Sequence, residues 1–334
     1  MTALNLLTAR TVRNSNSATT SSSVALLIPM RNEAMNVEEV VKSATQQEGI
    51  SDFSILVLDD QSTDETYALL SKQSDPRIKV FRGEDLPEGW LGKNFAAHQI
   101  AKKTDANFLV FIDADVRLSS RSIASSIAMM EDLKLDFLSP YPRQIAISWL
   151  ERLVQPLLQW SWFVSVPLRI AEKIPRTSMA VANGQFFIVR SAAYRKSGGH
   201  EAIKSEVLDD IELARSLIRH GYKGTVADGS NVAQCRMYQS PRELIAGYAK
   251  SQWRAFGTIA GASLMALILI ATSITPLVAG LLGSPWGWIG FFAMVATRLA
   301  VAAKTNSVIS SSWLHPFSAL RSEEHTSELQ SRFG

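Results

Sequence analysis

Between Val24 and Ile112 the chain alternates short apolar runs with segments whose apolar residues recur at helical spacing. Val24–Ile28, Phe53–Leu58, Ile78–Phe81 and Phe108–Ile112 are four to six residues long and read as buried strands. Between them Val37, Val40, Val41 and Ala44 keep a helical period, and Phe95, Ala96, Gln99, Ile100 and Lys103 do so less cleanly. Strands separated by helices predict an α/β fold, a doubly wound, mostly parallel sheet with helices on both faces. In such sheets ligands bind beyond the carboxyl ends of the strands.

The pattern changes near residue 255. No charged residue occurs from Ala255 to Gly283, and a second apolar run, Trp286 to Ala303, is broken only by Arg298. About 20 apolar residues cross a bilayer, so 256–304 is expected to form a transmembrane hairpin. Gly283, Ser284, Pro285 and Gly287 supply its turn. A pair of buried helices in a soluble core is the other reading, and Arg298 favours it unless its charge finds a partner. Lys250 and Arg254 before the pair and Lys304 after it put the large domain on the cytoplasmic side of a cell membrane, with the chain multi-pass.

A third apolar stretch, Ile147 to Ile170, holds Trp149, Leu150, Leu153, Leu157, Leu158, Trp160, Trp162 and Phe163 and is flanked or interrupted by Pro156 and Pro167. Too broken to span, it suits either the membrane interface, where Trp concentrates, or a plain core helix.

With 334 residues there is room for one catalytic domain and an appendage, and the net charge of +3 gives a nucleic-acid role no support. The single cysteine, Cys235, excludes an intramolecular disulfide and fits a reducing compartment. Residues 1–23 lack a core-forming pattern and are expected to be a flexible leader. Arg321 to Ser331 reads RSEEHTSELQS and resembles the translation of a common DNA-sequencing adapter, so 321–334 is expected to be non-native.

Acidic residues fall where the sheet pattern places ligands. The second strand ends in Asp59-Asp60 and is followed by Gln61-Ser62-Thr63-Asp64, and the fourth ends in Asp113-Ala114-Asp115. Carboxylates at alternate positions past a strand can converge on a hard cation such as Mg2+ or Mn2+, which would neutralise a diphosphate leaving group. Taken singly, either motif is equally well read as a solvated turn or a helix cap.

Together these motifs resemble the family 2 glycosyltransferases, which have the GT-A fold; the match runs from about Val24 to Gly257. Ile28-Pro29-Met30-Arg31-Asn32-Glu33 looks like the family's first-strand signature, implying donor contacts from Pro29, Arg31, Asn32 and Glu33. The resemblance assigns Asp60 to the nucleotide base and Asp113 and Asp115 to the metal and diphosphate. Asn183-Gly184-Gln185 through Gly198-Gly199-His200 resembles the acceptor-side strand and helix, and in Glu206-Val207-Leu208-Asp209-Asp210 the second acid of the final pair, Asp210, takes the place of the general base. An Asp there also suits a helix N-cap, and both roles are compatible.

Lys93, in Gly89-Trp90-Leu91-Gly92-Lys93-Asn94, lies where a Gly-containing loop enters a helix, a geometry suited to phosphate; the bland reading is a surface lysine. Trp90 either stacks on a substrate or packs. Processive members of the family carry Gln-x-x-Arg-Trp, whereas this chain has Gln252-Trp253-Arg254. That order favours addition of one sugar, with Arg254 reaching the diphosphate or anchoring at the interface and Trp253 lining the acceptor site. The Gly-Trp-Leu-Gly-Lys-Asn loop looks most like the hopanoid- and carotenoid-associated members. The resemblance therefore implies inverting, metal-dependent transfer of one hexose from a nucleotide-sugar to a hydroxyl or carboxyl of an apolar lipid. Polyprenyl-phosphate sugar transfer, sugar-nucleotide nucleotidyl transfer and a non-catalytic membrane scaffold are the competing readings. A nucleotidyltransferase would open on a Gly-rich, Arg-containing phosphate loop, which Val24–Asn36 lacks.

Overall fold

The computed structural model describes residues 1–238, 243–244, 259–310 and 312–314. It divides into two compact units. An α/β unit comprises Ala9–Arg143 and Leu168–Cys235, and a helical unit comprises Met1–Thr8, Gln144–Pro167 and the described residues after Cys235.

The chain opens with helix α1 (Thr2–Thr8) in the helical unit, then enters the α/β unit through β1 (Val24–Met30), α2 (Ala34–Thr45), β2 (Phe53–Asp59), α3 (Thr66–Leu70), β3 (Ile78–Arg82), α4 (Gly92–Ala101) and β4 (Phe108–Ile112). The four apolar runs are therefore strands, three of them a residue or two longer than the pattern predicts. After β4 come β5 (Val116–Leu118), α5 (Ser122–Asp132), β6 (Phe137–Tyr141) and the two-residue β7 (Arg143–Gln144). The chain leaves for α6 (Trp149–Ser165) and returns with α7 (Leu168–Lys173), β8 (Phe186–Arg190), α8 (Ser191–Lys196), α9 (Asp209–Arg219), β9 (Gly224–Asp228) and β10 (Ala233–Cys235).

The main sheet has the order β3-β2-β1-β4-β8-β6-β9. β1 to β4 run parallel, with Val24 opposite both Phe53 and Phe108. β8 is antiparallel to β4 and β6, with Phe186 opposite Ile112, and β6 pairs parallel with β9. The sheet is thus mixed and mostly parallel. Alternate residues feed two cores, as the strand period of two requires. Val24, Leu26 and Ile28 pack with Val37, Val40 and Val41 of α2 and Ile123 and Ile127 of α5. On the opposite face Ala25 and Leu27 join Ala96 and Ile100 of α4 and Leu213 and Leu217 of α9.

Because β2 and β3 lie on one side of β1 and β4 on the other, the chain reverses direction across the sheet between β1 and β4, a switch point of the kind at which α/β proteins bind ligands.

The expected flexible leader is instead ordered. Thr11 bridges to Asp228, the Val12 N–H donates to the Asp228 carbonyl at 2.8 Å, and Val12 is fully buried. Arg10 makes two 3.0 Å bonds to Glu172. A short polar segment lacks a period to read, yet it satisfies the otherwise open edge strand β9.

In the helical unit α6 is continuous, with Pro156 inside it, and Pro167 follows its end. A hairpin of α10 (Ile259–Leu281) and α11 (Pro285–Lys304) turns through Gly283 at φ +96°. The helices approach closely at Gly287, where a Cβ would meet the Gly280 nitrogen at 2.2 Å. By length and composition α11 is a candidate membrane span, with a mean hydropathy of 1.4. Arg298 is buried and donates at 2.7 Å to the Leu153 carbonyl of α6, and Trp160 Nε1 donates to Thr297 Oγ1 at 3.1 Å. A backbone carbonyl is therefore among the partners that Arg298 requires. Asn5 of α1 donates to the Phe163 and Val166 carbonyls at 2.9 and 2.7 Å, closing the carboxyl end of α6. Trp253, Arg254 and the segment 321–334 lie outside the described residues.

Candidate active site

The ends of β1 and β2 are braced to each other. Asn32, at φ +56°, accepts from the Thr63 N–H at 2.8 Å and its own N–H donates to Ser62 at 2.9 Å. Asp64 accepts from the Ala34 N–H at 3.1 Å, and the Glu33 N–H donates to Thr66 Oγ1 at 2.8 Å. Asn32 and Asp64 thus hold the two loops as one ledge. On it Arg31 lies 3.5 Å from Asp60, and a Cβ at Gly92 would sit 3.6 Å from Asp60 and 3.9 Å from Arg31. Burial raises the Asp60 carboxyl pKa, with Arg31 opposing. Glu33 is likewise raised by burial, against a 2.7 Å bond from Asn36.

Four elements converge beyond β4. The Asp113 N–H donates to the Gln185 carbonyl at 3.3 Å, so the antiparallel β8 delivers Asn183-Gly184-Gln185 beside the acidic loop. Asn183 is locked to Ser139 through its N–H and carbonyl at 2.8 and 3.0 Å. Lys93, in the first turn of α4, lies 3.0 Å from Asp113 and 3.6 Å from Asp209. Burial would lower the ammonium pKa, but Asp113, Asp209 and Asp210 around it raise it instead, so Lys93 is a fixed cation. Asp210 Oδ2 accepts from the Gly184 N–H at 2.9 Å and Oδ1 from the Ile211 N–H at 2.8 Å. The helix begins at Asp209 with Leu208 as its cap, so Asp210 stands inside the first turn and is not the N-cap. Its carboxyl is pushed up to about 7 by burial and by Asp209, against Lys93 and the two N–H bonds.

Pro29, Lys93, Asp113, Gly184, Asp209 and Asp210 line one cleft. Phe111, Phe187 and Leu213 form apolar parts of its wall, and His200 completes it. Trp90 packs against Phe95 and His98 at ring separations of 5.2 and 4.8 Å and does not line this cleft.

Asp115, two residues past Asp113, is not among the residues lining the cleft. Its Oδ1 is buried without a hydrogen-bond partner, and its carboxyl is pushed up to about 6 by burial and the neighbouring Asp113. Two neighbouring carboxylates with an unsatisfied buried oxygen fit a hard divalent cation. Among the described residues no three His, Cys, Asp or Glu side chains form a metal cluster.

The fold, with this acidic, lysine-bearing cleft at the switch point, defines an α/β protein with a ligand site beyond the strand ends. Residues 25–198 match the model of glycosyl transferase family 2, and the chain belongs to that family. It is similar to the 4,4'-diaponeurosporenoate glycosyltransferase of Staphylococcus haemolyticus, 24% identical over 236 residues, which are 69% of this chain and 61% of the relative. The protein of the same name from Staphylococcus aureus is 24% identical over 218 residues, 65% of this chain and 56% of the relative. The chain therefore spans less than two thirds of these relatives' length. A mannosyltransferase from Pyrobaculum calidifontis, solved with GDP-mannose and Mn2+, shares the fold with a TM-score of 0.54 and 17% identity over 91% of this chain and 92% of its own.

Phe111 and Leu213 were not among the residues the sequence singled out for chemistry, and Phe187 and His200 entered only as part of the acceptor-side stretch, with no role of their own. For His200 the signal present was a Tyr followed four residues later by Gly-Gly-His.

Proposed function

We propose that the chain transfers one hexose from a nucleotide-sugar, a UDP-sugar in the first instance, to a carboxyl or hydroxyl oxygen of a carotenoid-like lipid at the membrane. The observation that carries this reading is the meeting of Lys93, Asp113, Asp209 and Asp210 in one cleft. Asp210 takes the proton of a hydroxyl acceptor, for which a carboxyl poised near neutrality is suited. The acceptor oxygen bonds to the anomeric carbon while the carbon–diphosphate bond breaks on the opposite face, with inversion and no sugar–enzyme intermediate. Lys93 offsets the charge that accumulates on the leaving diphosphate. Pro29, Arg31, Asn32, Glu33, Asp60 and Arg254 would hold the donor; Asn183, Gly184, Gln185, Asp209 and Trp253 would border the acceptor. Trp90 is left out of that set because of its packing on α4. Held by Asp113 and Asp115, Mg2+ or Mn2+ would supply Lewis-acid neutralisation of the diphosphate.

The relatives' printed acceptor, an apolar carboxylate, supports a lipid substrate. Exposed Trp149, Leu267, Leu281, Trp286 and Phe292 support membrane association of the helical unit, with α10 and α11 crossing the bilayer and the α/β unit cytoplasmic. Membranes from cells expressing the chain, given radiolabelled UDP-glucose and 4,4'-diaponeurosporenoate, should yield a glycolipid heavier than the acceptor by one hexose. Label found only on polyprenyl phosphate, or no manganese-dependent turnover of any sugar nucleotide, would reject the reading.

A further inference from the structure

His200 is built into the cleft wall with more care than a core residue needs. The pair Gly198-Gly199 runs at φ +82° and +52°, and a Cβ on Gly199 would lie 2.4 Å from the Tyr194 ring. Only glycine lets the chain fold this tightly around that ring. The turn brings the His200 N–H to the Tyr194 oxygen at 3.2 Å and His200 Nδ1 to the same oxygen at 2.8 Å. Phe111 closes against the ring edge-on, with centroids 5.0 Å apart.

Tyr194 is buried and its hydroxyl makes no other hydrogen bond among the described residues, so its O–H has Nδ1 as its available acceptor. Satisfying every buried polar group therefore puts the imidazole proton on Nε2. The ring is 5% exposed, lines the cleft beside Asp209 and Asp210, and has Nε2–H as the one polar atom left to meet a ligand. Burial depresses its pKa to about 4, so it donates as a neutral ring and brings no charge next to Lys93.

We propose that His200 is an acceptor-binding residue whose Nε2–H donates to an oxygen at the polar end of the acceptor, and that Tyr194 is the positioning residue that fixes the tautomer. The inference deepens the functional reading above and rests on it. A hydroxyl and a carboxylate both present the required lone pair. A carboxylate keeps a second oxygen for His200 while the first attacks, whereas an alcohol must share its only one.

The test uses the full chain in membranes, with a carotenoid carboxylic acid and the corresponding carotenoid alcohol as separate acceptors. His200→Phe should raise the acceptor KM about tenfold and Tyr194→Phe about threefold, the loss of one hydrogen bond and of its alignment. The KM for the sugar nucleotide should stay within about twofold in both. His200→Gln, which returns an N–H donor, should recover part of the loss, and a larger effect on the acid than on the alcohol identifies the carboxylate as the group read. Unchanged acceptor KM in both Phe variants overturns the inference while leaving the functional reading intact. Equal shifts in donor and acceptor KM, with no recovery by Gln, also overturn it in favour of a packing role. Wild-type enzyme that glycosylates neither acceptor removes both.

Discussion

Asp210→Asn preserves side-chain shape but removes the charge and the base, and the two losses have opposite signs in different assays. In the wild type both carboxyl oxygens accept backbone N–H bonds, from Gly184 and Ile211. An amide can accept only one of them and turns a donor toward the other, at a cost of about 1 kcal/mol. Against this stands the burial of the carboxylate. Its pKa rises from 3.8 to about 7, so the folded state holds the proton more tightly than the unfolded chain. Wild-type stability therefore falls as pH increases from about 4 to about 7 and stays low above it, a loss of roughly 4 kcal/mol. The Asn variant escapes that loss. It should melt slightly below wild type at pH 3.5 and above it at pH 8, where the net gain is about 3 kcal/mol. Its transfer to a hydroxyl acceptor should fall by about a hundredfold or more. The wild-type rate on that acceptor should climb with pH through about 7, as the base becomes ionised. Melting in detergent at the two pH values, with radiolabelled transfer assays alongside, measures both effects. Parallel melting curves for the two proteins, or retention of more than a tenth of the wild-type rate, would refute the argument.

Asp115→Asn removes one of the two carboxylates proposed for the metal, and manganese titration of activity should shift to about tenfold higher concentration or more. Lys93→Met should cut kcat/KM for the nucleotide-sugar by about a hundredfold while leaving binding of the bare nucleoside unchanged, since the lysine acts on the diphosphate; equal loss of both would count against it. Gly199→Ala combines a left-handed backbone with a Cβ inside the Tyr194 ring. It should cost about 2–4 kcal/mol of stability, seen as a lower melting temperature.

The sequence by itself determined the four parallel strands, the helices between them and the placing of Asp60, Asp113 and Asp115 at strand ends. Those features are local. Burial on both faces writes a continuous apolar run, burial on one face writes a helical period, and a polar residue just past either marks the sheet's edge. The order of the motifs also made the family legible before any contact was known. Tertiary structure alone decided that β8 enters antiparallel beside β4 and so sets Gly184 against Asp210. It also decided that Lys93 bonds Asp113, that Trp90 packs on α4 away from the cleft, and that residues 11 and 12 pair with β9. The buried Arg298 finding the Leu153 carbonyl and Tyr194 fixing the His200 tautomer belong with these. Each is a single contact, many of them between residues far apart in sequence, where periodicity carries no signal. A hydrophobic pattern states how deeply a residue is buried, and only the folded chain states which polar atom it meets there.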